Sequence, residues 1–128
     1  MLTIALTGWY SPTVESSLSG DIAYYRSGLM QDVIEYRGAD MRGRIDGVSL
    51  MAKGDLGRTV WLEVDGRIVG PLLVVDCSQQ VHYEMNVGRR RIADISRRLW
   101  EKLGLPEDLV EATVWFSPPI WEGPYRPL

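Results

Sequence analysis

Short apolar runs separated by polar, glycine-rich breaks set the pattern of this chain. Residues 3–10, rich in Thr, Ile, Leu, Trp and Tyr, form a β-type run. Ser11, Pro12 and the Ser-rich SSLSG interrupt it. Leu29, Met30, Val33 and Ile34 recur at helical spacing, which predicts a short helix over 28–37, capped by Ser27 and stopped by Gly38. After the turn-rich GADMRGRIDG the period changes to that of strands. Residues 48–52 are short and apolar, KGDLG is a turn, and 58–64 alternate as a strand. Asp65-Gly66 is a two-residue hairpin signal. Residues 67–76 complete the hairpin, and the nearly unbroken apolar run IVGPLLVVDC suits a strand covered on both faces. Pro71 inside it implies a bulge or an edge.

Further on, 81–85 reads as extended and 91–93 as a short strand. A helix follows over 96–103, with Leu99, Trp100 and Leu103 inward and Gly104 as its end. Residues 111–116 form a closing strand. The tail SPPIWEGPYRPL, rich in Pro and aromatics, is expected to pack over the surface without regular structure. Six short strands and one or two short helices result, and the need to hide strand edges favours a small closed barrel.

The 128 residues fit one domain, and 45% hydrophobic content supplies a core. The net charge of −3 speaks against a general nucleic-acid binder. Arg89, Arg90, Arg91, Arg97 and Arg98 nevertheless form a local basic run, either a solvated face or a patch for an anionic polymer. A single Cys excludes an internal disulfide framework, and Cys77 at a strand end reads as a small buried hydrophobe. No C-x-x-C or H-x-x-x-H spacing occurs, so neither a zinc site nor another cofactor is expected. No stretch is long enough to span a bilayer. MLTIALTGWY lacks the basic flank of a signal peptide. Either the protein is not exported by that route, or the chain begins at a mature domain.

The order GVSLMAKGDLGRTVWLEVDG, VGPLLVVDC, RRRIADISRRLWEKLG resembles the double-psi β-barrel of the expansins, barwin-type proteins and the rare lipoprotein A group. IADISRRLWEKLG is similar to the family's closing "D-L-S…L-G" element, VVDC to its aspartate-ended strand, and TGWYS more loosely to its first strand. The resemblance implies a mainly β, six-stranded double-psi β-barrel with one or two short helices. Relative to it, 21–42 is a helical insertion. It also implies a protein of the cell envelope or outside the cell that acts on polysaccharide or peptidoglycan, by expansin-like loosening or lytic transglycosylase-like cleavage. A cytoplasmic location stays open.

In related glycan-cleaving barrels the aspartate before L-S is the general acid, a role that falls here to Asp94. Such an acid needs burial or a neighbouring anion to keep its proton. An aspartate beside a helix start also serves as a cap, and the two roles are compatible. Hydrolysis needs a second carboxylate to activate water. The first-strand segment TGWYSP holds none, so a one-carboxylate reaction or a non-catalytic carbohydrate-binding or structural module fits better. Asp76, His82 and Glu84 are further catalytic candidates, each with a plain alternative as a turn or surface residue. Trp9, Tyr10 and Tyr83 are candidates to stack on sugar rings, and Arg89, Arg90 and Arg91 to hold their carboxylates. A self-processing decarboxylase on the same barrel would need Gly-Ser; Ser19-Gly20 and Ser27-Gly28 run in the reverse order.

Overall fold

The computed structural model describes residues 8–119. Six strands close into a mixed barrel: β1 (Ser17–Tyr24), β2 (Asp46–Leu50), β3 (Thr59–Val64), β4 (Arg67–Cys77), β5 (Arg91–Ile95) and β6 (Val110–Trp115). Around the barrel they run β1-β5-β2-β4-β3-β6. Three short helices, α1 (Leu29–Arg37), α2 (Tyr83–Gly88) and α3 (Arg97–Lys102), lie between them. Two pairings, β1 with β5 and β2 with β4, are parallel, and the other four are antiparallel. Exchanging β1 with β4, β2 with β5 and β3 with β6 maps this ring of pairings onto itself. Two interleaved three-strand halves therefore make the barrel. Among the described residues no helix is long and apolar enough to cross a membrane.

Alternation along the strands sorts side chains to the two faces of the wall. Val48, Leu50, Leu72, Val74 and Ile95 point inward and are almost wholly shielded, with Leu62 and Val114 from the opposite side. Each such aliphatic side chain contributes about 1.5–3 kcal/mol by leaving water. Helix α3 plugs this core with Leu99, Trp100 and Leu103, as its spacing predicts. Ser96 caps it, its Oγ accepting from the Leu99 N–H at 3.0 Å.

On the outer face a second cluster joins Met30 and Ile34 of α1 to Leu73 and Val75 of β4. Gly47 makes this packing possible. A Cβ there would lie 2.8 Å from Val75 Cγ2 and 3.2 Å from Met30 Sδ, so any side chain would lift the helix. Gly38 ends α1 in the left-handed conformation, as expected. Its first turn differs from expectation: Gly28, not Ser27, is the cap residue, and no side chain caps the helix.

The hairpin at Asp65-Gly66 has φ of 53° and 70°, the paired positive angles of a type I′ turn. The register of β3 on β4 shifts between Val60 and Leu62, and β4 is paired on both sides, so Pro71 marks a bulge and not an edge.

Three expectations about the strands also need correction. Within the run expected to be strand over 3–10, Gly8–Tyr10 are helical; the rest lies outside the described residues. The first strand is instead Ser17–Tyr24, formed by the Ser-rich segment read as a break and by the start of the expected insertion at 21–42. Its serines tolerate the strand because they pair outward, Ser19 Oγ lying 2.9 Å from Thr113 Oγ1 on β6. Residues 81–85, expected to be extended, form a 3-10 turn (Gln80–His82) and the start of α2. The barrel is closed without them and offers no edge to pair with. The expected surface packing of the tail concerns mainly residues outside those described.

Candidate active site

Three adjacent strands bring a polar row to the outer face of the wall. Ser49 of β2 pairs with Asp94 of β5 on one side and with Asp76 of β4 on the other. Strands lie about 4.8 Å apart, so the two aspartate backbones stand roughly 10 Å apart across Ser49. A register shift aligns them. Val48 pairs with Val74 but Ser49 with Asp76, which leaves Val75 as an extra residue. Bulges of this kind re-aim side chains. Here the shift sets Asp76 on the same face as Ser49.

The two carboxylates have different surroundings. Both oxygens of Asp76 are engaged: the Tyr25 hydroxyl donates to Oδ2 at 2.7 Å, and Arg37, in the last turn of α1, donates to Oδ1 at 2.9 Å. Tyr25 is held beside β5 because its N–H donates to the Ile95 carbonyl at 2.8 Å. Burial, reinforced by the charge of Asp76, pushes the phenol well above its ordinary range, so it stays a donor. Asp94 has no such partners. Its Oδ1 is buried and accepts no hydrogen bond among the described residues. Arg91 Nη2 stands off at 3.8 Å. Burial raises the Asp94 carboxyl above the usual carboxylate range; Arg91 opposes the shift and Asp76 adds to it.

Asp94 opens on a cleft of about 330 Å³, at the lower end of the range for small-molecule sites. Tyr25, Ser49 and Cys77 of the barrel wall line it with His82, Met85, Asn86 and Arg89 of the segment that carries α2, and Arg91 lies beside Asp94. Asn86 Nδ2 donates to Ser78 Oγ at 2.7 Å and ties α2 to the end of β4.

The structure divides the predicted site residues. Asp94, His82, Arg89 and Arg91 line the cleft, and Asp76 stands one strand behind it through Tyr25. Glu84 is exposed on α2 and does not line it. Arg90 adopts a positive φ of 55° and reaches back to the Ser19 carbonyl at 3.3 Å, so the basic run is split. Trp9 and Tyr10 form an edge-to-face pair with Lys53 over both rings. Trp9 Nε1 donates to the Ser78 carbonyl at 2.9 Å, yet neither ring lines the cleft. Tyr83 faces a second, more apolar cleft of about 560 Å³ with Pro12, Val14 and Val87. Cys77 is not core as expected: it is half-buried at the cleft wall, and burial with the nearby Asp76 charge raises its thiol, which keeps it protonated and a poor nucleophile. Among the described residues no group of three His, Cys, Asp or Glu side chains is placed to hold a metal.

Sequence reasoning missed Ser49, Arg37 and Asn86. Ser49 carries a signal, a lone hydroxyl inside the apolar GVSLM. Arg37 and Asn86 carry none, since their partners are distant in the chain. No family model matches this chain, and no curated protein matches it.

Proposed function

We propose that the protein acts on a cell-wall glycan, with Asp94 as the single general acid of a lytic, water-independent cleavage. The observation that carries this reading is the Asp94 carboxyl, half-buried, whose Oδ1 is shielded and accepts no hydrogen bond among the described residues, facing a polar cleft with Arg89 and Arg91 at its side. Asp94 gives its proton to the glycosidic oxygen as the bond to the anomeric carbon breaks. A hydroxyl of the same sugar closes on that carbon and returns its proton to the Asp94 carboxylate. No water and no second free carboxylate are needed, which agrees with Asp76 being tied to Tyr25 and Arg37. The interchangeable halves of the barrel and its two parallel pairings support the double-psi assignment. The fold alone does not fix the chemistry. The extracellular or envelope location follows from the substrate.

Wild type and Asp94→Asn, incubated with purified peptidoglycan and with cellulose, test the reading by mass spectrometry of soluble sugars and assay of pelleted protein. Wild type is expected to release anhydro-sugars, and the variant to lose this about 10²–10⁴-fold, the usual share of a general acid. Pelleting without products, unchanged in the variant, makes the protein a binding module. Neither binding nor products overturns the glycan reading.

A further inference from the structure

Two buried polar atoms in the cleft lack hydrogen-bond partners among the described residues, Asp94 Oδ1 and Arg91 Nε. They belong to neighbouring side chains three residues apart on β5, the one an acceptor and the other a donor. Their groups nearly meet but do not: Nη2 of Arg91 is 3.8 Å from Asp94 Oδ1, outside hydrogen-bond range. A shielded donor or acceptor left without a partner is costly, so the arrangement is suited to a third group that completes it. The Arg91 side chain is 39% exposed and lines the cleft, where Arg89 adds a second positive charge.

We propose that Arg91 is a positioning residue poised between two acceptors, the Asp94 carboxyl and an anionic group of the substrate, so that an acidic ligand draws it off and leaves Asp94 to act as an acid. The inference rests on the reading of Asp94 given above and adds the substrate class: a glycan bearing carboxylates. A planar guanidinium binds a carboxylate through two parallel N–H donors, which satisfies Nε and at least one Nη together. The titratable and charged groups around Asp94 are Tyr25, Asp76 and Cys77 across the row, His82 and Arg89 from the α2 segment, and Arg91. Arg91 is the one placed against Asp94, and its charge favours the ionised carboxylate.

The test follows the Asp94 carboxyl by ¹³C NMR through a pH titration, with Asp94→Asn used for assignment and sodium glucuronate as the probe. In wild type, excess glucuronate is expected to move the Asp94 midpoint upward, while glucose leaves it in place. In Arg91→Gln the midpoint is expected to stand higher without ligand and to ignore glucuronate. Arg91→Lys, which keeps the charge, brings the ligand-free midpoint back down. A wild-type midpoint that glucuronate does not move, or that glucose moves as far, overturns the proposal. So does an unchanged response in Arg91→Gln. A midpoint that moves while no glycan is cleaved upholds this role and overturns the glycan-cleavage reading; cleavage with an unmoved midpoint does the reverse.

Discussion

Helices α1 and α2 border the outer face of the same wall, and they do so differently. Helix α1 buries Met30 and Ile34 against Leu73 and Val75 and seals that stretch. Helix α2 buries none of its residues; Met85 is 44% and Val87 46% exposed, and Val81 just before it is 80% exposed. Where the wall is sealed its outer residues are aliphatic. Where it is left open they are Ser49 and Asp94. A short helix held by side-chain and backbone ties instead of a packed face leaves a cleft beside it, and the cleft holds the ionisable groups. Close packing and ionisable groups are thus divided between the two helices.

The division can be broken at its sealed side. Met30→Ala is expected to cost about 2–5 kcal/mol, the range for emptying a packed aliphatic site, read as a drop in the urea midpoint. Gly47→Ala follows at about 1–3 kcal/mol, because its Cβ must displace Val75 or Met30. On the open side the sign reverses. Asp94→Asn is expected to raise Tm by a few degrees at neutral pH. The folded carboxyl holds its proton to a higher pH than the unfolded one. Its contribution to stability is therefore complete below the unfolded value near 3.8 and is lost as pH rises through the folded value. The Tm gap between variant and wild type should be small in acid and widen across that window. A gap that is constant with pH would contradict the burial account. Smallest is Met85→Ala, expected within about 0.5 kcal/mol of wild type, since the side chain is half in solvent.

Local chemistry made part of this legible in the sequence. The 29/30/33/34 spacing marks α1, Asp65-Gly66 marks its hairpin, and Ser96 with Leu99, Trp100 and Leu103 marks α3. Strand β1 was hidden because Ser17, Ser19 and Gly20 carry turn chemistry. Only the β6 partner and the close approach of the Arg90 carbonyl, 2.2 Å from where a Gly20 Cβ would lie, explain why they serve as strand. Asp94 stood out through the IADIS motif. Its adjacency to Ser49 and the position of Asp76 could not be read, because they depend on the strand order and on one extra residue at Val75, neither of which has a local signature. The aromatic residues misled for a similar reason: Trp9, Tyr10 and Tyr83 suit a sugar platform by type, yet packing turns them away from the cleft.

The central claim is that the wall beside α2 holds Asp94 in its acid form beyond the ordinary carboxylate range. The direct measurement is the ligand-free ¹³C titration of the Asp94 carboxyl. A midpoint clearly above the ordinary aspartate value of about 3.9 is predicted. A midpoint at or below that value would mean that Arg91 pairs with Asp94 in solution, and the cleft would then hold an ion pair instead of an acid.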